Sequence, residues 1–184
     1  MEQWNEEAPS SQAGEKESNR ASSDASSPAA GGSGRDVSPQ RDGRREITVT
    51  VNSTQDGQQA PVAMYTGELI PKGRTLYIRY EEQDELHGSV RTMIRWSGEE
   101  LTLTRRGGVE SDQTFAAGQA RGGRYSSAHL SFPLVTETED LSVTMASDEG
   151  LLPLTLAWTY RLRMEDEISG RFQLRLTIQE ANQS

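Results

Sequence analysis

The sequence predicts an all-β protein, an antiparallel up-and-down β-barrel of about eight or more strands over residues 45–181, behind a disordered N-terminal tail over residues 1–44. Three observations predict it. From Glu46 onward apolar and polar residues alternate with a period of two, which is the signature of strands with one buried face. Turn pairs containing glycine recur between the alternating runs, at spacings that suit hairpins. The first 44 residues hold almost no aliphatic side chain, and Trp4 is their only aromatic.

The tail is dominated by Ser, Ala, Gly, Glu and Arg, and Ser22–Gly34 has linker composition. Such a segment buries too little apolar surface to offset its ordering entropy. A sharper reading makes Trp4, with Glu2, Glu6 and Glu7, a short docking motif. A solvating tail explains the same composition more simply.

The barrel runs follow in order. Ile47, Val49 and Val51 share one phase. Leu76, Ile78 and Tyr80 form the next, then Val90, Thr92, Ile94 and Trp96, then Leu101 and Leu103. Leu130, Phe132 and Leu134 share a face with Thr136 and Thr138, and Leu141, Val143 and Met145 follow. Leu154 to Leu162 and Phe172 to Ile178 complete the set. Turns are expected at Asp56-Gly57, Lys72-Gly73, His87-Gly88, Ser97-Gly98, Gly107-Gly108, Gly122-Gly123, Glu149-Gly150 and Ser169-Gly170. A meander with one buried face closes most simply into a barrel. A β-sandwich is the alternative, but its Greek-key crossovers need longer connections.

Bulk properties exclude several functions. The 184-residue chain carries a formal net charge of -9, which disfavours nucleic acid and anionic membranes as partners. It has no cysteine, so disulfides, zinc-thiolate sites and thiol nucleophiles are absent, in keeping with a cytoplasmic location. Residues 1–30 lack an apolar core of the signal-peptide kind, and Leu151–Trp158 is too short to span a bilayer.

Short matches in order carry a family resemblance over Ile47–Glu180. They are Leu76-Tyr77-Ile78-Arg79-Tyr80-Glu81-Glu82, Gly88-Ser89-Val90-Arg91-Thr92-Met93-Ile94-Arg95 and Leu103-Thr104-Arg105-Arg106-Gly107. Val109, Gln113-Thr114-Phe115, Tyr125, Thr136, Thr138 and Leu174-Arg175-Leu176-Thr177-Ile178 follow. On these the barrel region resembles the YwiB-like family of small bacterial proteins of unknown function. The resemblance implies a calycin-like, lipocalin-type barrel and brings no established activity. The sequence departs from that family at His129-Leu130, where an aromatic-glycine pair is usual, and at Glu139, where a basic residue is usual.

Candidate functional residues come from parity. Polar residues in the apolar phase of a strand point inward. Arg105 is in phase with Leu101 and Leu103, Gln113 with Val109 and Phe115, and Thr92 with Val90 and Ile94. Thr136 and Thr138 are in phase with Phe132 and Leu134, and Tyr80 with Leu76 and Ile78. An inward arginine is costly unless paired, so Arg105 is expected to grip an anionic group while Gln113, Tyr80, Thr92, Thr136 and Thr138 orient it. Two structural explanations compete: Arg105 reaches solvent from a strand end, or Glu81 or Glu82 pairs with it.

Other constellations have structural explanations. The acidic group Glu81, Glu82, Asp84 and Glu85 reads as a solvated hairpin turn; it lacks the loop of a calcium site. His87 and His129 read as loop or rim residues without metal-site spacing. Arg121-Gly122-Gly123-Arg124 and Arg105-Arg106-Gly107-Gly108 read as turns. There is no Gly-x-Ser-x-Gly elbow, and no cofactor or metal motif is present. The expected function is therefore non-enzymatic: a barrel holding a small anionic or amphipathic ligand in its lumen. The alternative is a solid-core module that binds a protein partner through its outer face or tail.

Overall fold

A computed structural model of the chain describes residues 43–147, 150–165 and 167–181. The expected tail over 1–44 lies outside the described residues except for Gly43 and Arg44. The elements are β1 (Arg45–Gln55), β2 (Gln58–Gln59), β3 (Ala63–Lys72), β4 (Thr75–Asp84), β5 (Gly88–Trp96) and β6 (Leu101–Gly107). They continue as β7 (Val109–Phe115), β8 (Ala120–Ser127), β9 (Ser131–Ser147), β10 (Gly150–Met164) and β11 (Glu167–Glu180).

Every pairing is antiparallel, and from β3 to β11 each strand pairs with the next in the chain. β1 joins the two ends. It pairs with β3 from Arg45↔Leu69 and with β11 from Ile47↔Glu180. Ten strands thus form a closed ring, and the two-residue β2 is a short ribbon on the end of β1. Closure removes the unpaired edges that an open meander would present. The all-β antiparallel barrel is the architecture the period-two pattern predicts.

The inward phase of each strand divides along the barrel axis. At one end Ile47, Val49, Ile78, Ile94, Leu101 and Leu156 are fully buried and form a solid core. Toward the other end the same phases continue as Val51 and Ser53 in β1, Tyr80 and Glu82 in β4, and Leu103 and Arg105 in β6. One end of the lumen is filled by mostly aliphatic side chains together with Phe115; the other is lined by aromatic and polar ones.

The run that includes Phe132 and Thr138 and the run at Leu141–Met145 form one strand, β9. Its phase changes where Tyr160 pairs with Thr138 and Thr159 with Asp140, which leaves Glu139 as the extra residue of a bulge. Two expected turns are strand interior instead. Gly122-Gly123 lies within β8, and the turn before it is Ala116–Gln119, closed by Gln119 N–H donating to the Ala116 carbonyl at 3.0 Å. Gly123 has no side chain because a Cβ there would overlap the Asp112 carbonyl oxygen across the ladder. Ser169-Gly170 lies within β11, where Leu162 pairs with Gly170 and Arg163 with Ile168. Leu130, placed by parity on the inner face of β9, sits in the turn before it and is 56% exposed.

Two strands show no alternation in the sequence. The inward phase of β3 runs Ala63, Tyr65, Gly67, Leu69, and that of β8 runs Arg121, Gly123, Tyr125. Gly67 is required by close approach: a Cβ would overlap the Arg79 carbonyl oxygen and press on Tyr80 Cβ at 3.0 Å.

Candidate lumen site

The unfilled half of the lumen is a cavity of about 560 Å³ that opens at one barrel end. Its polar wall is built by β4, β6 and β7, which bring Glu82, Arg105, Ser111 and Gln113 inward. Arg105 Nη2 donates to Glu82 Oε2 at 2.8 Å, and Thr92 Oγ1 donates to Glu82 Oε1 at 2.5 Å. Thr92 and Arg105 are register partners on β5 and β6, and Val90, next to Thr92 in phase, pairs with Glu82. Sheet register alone therefore assembles the triad. The Glu82 and Arg105 side chains are 18% and 27% exposed. Arg105 Nε is buried without a hydrogen-bond partner.

Aromatic residues form the remaining walls. Tyr65 and Tyr80 stack with centroids 5.0 Å apart, Tyr125 and Phe132 at 5.2 Å, and Tyr160 and Phe172 at 5.2 Å. Trp158 lies deeper, 2% exposed and 5.6 Å from Phe115. Leu103, Leu162 and Leu174 complete the apolar surface.

Of the six residues expected from parity, Arg105, Gln113 and Tyr80 line the cavity. Thr92 stands behind the wall and braces Glu82. Thr136 and Thr138 point inward as expected but do not line the cavity. Thr136 Oγ1 donates to the Thr114 carbonyl at 2.6 Å, which ties β9 to β7. Thr138 lies below the β7–β8 turn, where its backbone carbonyl accepts from Gly118 N–H at 2.9 Å, and its hydroxyl is buried without a partner. Opposite effects are therefore expected from one substitution at the two sites. Thr138→Val removes an unsatisfied hydroxyl and raises unfolding free energy by about 1 kcal/mol; Thr136→Val leaves a carbonyl unpaired and lowers it by about 1 kcal/mol. Urea denaturation of the two variants checks both signs.

Glu82 is the residue the acidic-cluster reading misplaces. Its neighbours do form a polar turn: Asp84 Oδ1 accepts from Leu86 and His87 N–H at 2.8 and 2.9 Å and meets His87 Nδ1 at 3.0 Å. These bonds hold the Asp84 carboxyl below its ordinary pKa. Glu81 faces outward to Gln83 and Ser89. Glu82 shares the phase of Leu76, Ile78 and Tyr80, so it turns inward. The parity that singled out Arg105 marks it equally.

The other arginine-glycine motif behaves as a turn. Arg106 holds Asp112 through both carboxylate oxygens at 2.7 and 2.9 Å and donates to the Ser111 carbonyl at 3.1 Å. Glu139 takes Arg171 and Arg161 on the outer surface. Among the described residues no three His, Asp or Glu side chains gather to hold a metal ion, and no helix is long and apolar enough to cross a membrane.

Electrostatics follow burial. Burial pushes the Tyr160 phenol up to about 12. Burial also raises Tyr80, with the charge of Glu82 adding to it and that of Arg105 opposing, and raises Tyr65 in the same way. Unfolded tyrosine titrates near 10. In the window above that value the native state binds more protons than the unfolded state, so stability is full below it and is lost as pH rises through it. The urea midpoint is expected to fall between about pH 10 and about pH 12, and less steeply in Tyr160→Phe.

Fold and site together define a closed antiparallel β-barrel with an aromatic-walled cavity in one half of its lumen. The chain belongs to the family described as Domain of unknown function (DUF1934), whose model matches residues 47–176. It is 25% identical over 136 residues to the "Uncharacterized beta-barrel protein YwiB" of Bacillus subtilis (strain 168), covering 72% of this chain and 92% of that one. The crystal structure of the ywiB protein from Bacillus subtilis is similar in fold, with a TM-score of 0.65 at 21% identity over 76% of this chain and 94% of that chain.

Proposed function

We propose that the protein is a non-enzymatic binding module that holds a small amphipathic ligand in the open half of the barrel lumen. The observation that carries this reading is the cavity of about 560 Å³ set above a solid core. Its volume lies within the roughly 300–1,000 Å³ of small-molecule sites, and its charged and amide groups, Glu82, Arg105 and Gln113, converge on one wall of a largely aromatic and aliphatic surface. Glu82 already neutralises Arg105, so the site favours an amphipathic ligand over a simple anion. Arg105, Gln113 and Tyr80 would contact it, with Thr92 as a positioning residue for Glu82.

Native mass spectrometry of the full chain purified from its own host tests the reading. A discrete adduct that disappears on denaturation is the expected result. A clean apo mass at all concentrations would overturn a tightly held resident ligand.

A partner-binding reading has one observation in its favour. Val62, Leu86, Leu130 and Ile168 are 53%, 89%, 56% and 60% exposed, and all four lie in connections or strand ends at the open end of the barrel. The same spectrum would reveal a retained second polypeptide.

A further inference from the structure

The cavity's composition narrows its ligand, an inference that rests on the binding-module reading above. Of the chain's three Phe, five Tyr and three Trp, the cavity wall takes two, four and one. Chance scatter over a barrel surface and core would not bring most of them to one half-lumen. Their arrangement is equally specific. The stacked pairs each bridge two neighbouring strands: Tyr65–Tyr80 on β3/β4, Tyr125–Phe132 on β8/β9 and Tyr160–Phe172 on β10/β11.

Around the ten-stranded ring, β3/β4 and β8/β9 lie five strands apart, so the first two pairs face each other across the lumen. By the same count β10/β11 lies opposite β5/β6, which carry Thr92 and Arg105 beside Glu82 of β4. The open lumen thus has one polar wall and three aromatic ones.

We propose that the lumen binds a flat, fused aromatic heterocycle whose polar edge both donates and accepts hydrogen bonds. Side chains on strands stand roughly perpendicular to the sheet, so rings stacked across neighbouring strands turn an edge toward the lumen. Ring edges are electropositive and pack best against the π-face of another ring. An aliphatic chain would gain buried area from these walls but none of that geometry. On the polar wall Glu82 accepts, Arg105 donates and the Gln113 amide does both. A neutral amide-type ring edge matches that set, whereas a carboxylate would face Glu82.

The test is equilibrium titration of the full chain with three flat heterocycles (lumichrome, pterin and adenine) and two chain amphiphiles (laurate and dodecanol), read by tryptophan quenching and thermal shift. At least one heterocycle is expected to bind saturably, with quenching lost in Trp158→Phe, at least tenfold weaker binding in Tyr65→Leu and in Gln113→Leu, and no displacement by laurate. Saturable binding of laurate or dodecanol with none of the heterocycles would overturn the aromatic class and leave the binding module standing. No binding by any of the five, together with a clean native mass, would remove both.

Discussion

Replacing Trp158 with alanine is expected to lower the unfolding free energy by about 3 kcal/mol, near the low end for a buried Trp→Ala change. Trp158 is 2% exposed and joins the solid half of the lumen to the open half. It packs against Phe115, which in turn packs on Tyr160 with centroids 4.7 Å apart. Truncation removes the floor of the cavity and breaks that continuous aromatic packing. The hole would join a cavity that already opens at one barrel end, so the penalty for creating an empty void is smaller than in a sealed core. Trp158 Nε1 has no hydrogen-bond partner, so no buried acceptor is orphaned. Trp158→Phe should accordingly cost only about 1 kcal/mol, the loss of some apolar area. Chemical denaturation followed by circular dichroism checks both values. A loss below about 1 kcal/mol for Trp158→Ala would mean that the walls collapse around the site and the solid half does not depend on its floor.

How far the sequence reveals this fold depends on how cleanly each strand alternates. β5 is legible because Val90, Thr92, Ile94 and Trp96 keep one phase against arginines and a methionine. The bulge at Glu139 is visible as the change from even to odd apolar positions between Thr138 and Leu141. β3 and β8 are hidden because their inward positions include Gly67 and Gly123, which exist to let a neighbouring backbone approach and carry no apolar signal. That is also why Tyr65 and Tyr125 escape a parity reading, although they line the cavity. The Gly122-Gly123 pair is a turn by composition and a strand by packing, because the rule that glycine marks turns competes here with the rule that glycine permits close approach.

The polar wall was legible in part for the same reason. Parity brings Arg105, Gln113 and Tyr80 to the lumen, and the structure keeps them together. It cannot say how far along the axis a residue lies, so Thr136 and Thr138 fall within the same phase yet outside the cavity. Glu82 is grouped with its solvated neighbours by composition, yet it is one of the two carboxylates the sequence offers as a partner for Arg105, and the structure makes that pair at 2.8 Å. Two carboxylates one residue apart on a strand have opposite fates, since Glu81 is turned to solvent and Glu82 to the lumen. Cavity volume depends on how side chains of ten strands meet, which no single strand encodes.

Arg105→Ala is expected to destabilise the barrel by about 2 kcal/mol, and removing both charges is expected to restore most of the loss. The single change leaves the Glu82 carboxylate inside the lumen with only Thr92 to donate to it. Breaking a buried pair on one side costs roughly 3–5 kcal/mol. The 18% and 27% exposures of the two side chains let water reach the pair and reduce that figure. In Arg105→Met with Glu82→Gln, no charge remains to be solvated, and the amide can still accept from Thr92. The double variant should therefore be within about 1 kcal/mol of the parent, giving a coupling energy between the sites of at least about 1 kcal/mol by a double-mutant cycle. Urea denaturation of Arg105→Met, of Glu82→Gln and of the double closes the cycle and measures it, with Arg105→Met expected to lose about as much as Arg105→Ala. Strictly additive losses would show that the contact does not hold the barrel together. The double variant also separates the two roles of the pair, since it keeps the fold while removing both charges from the polar wall. If that wall orients a ligand, the double variant loses at least tenfold in affinity for whichever heterocycle the parent binds, while its stability stays within about 1 kcal/mol of the parent. If the pair only fastens β4 to β6, binding to the aromatic walls survives.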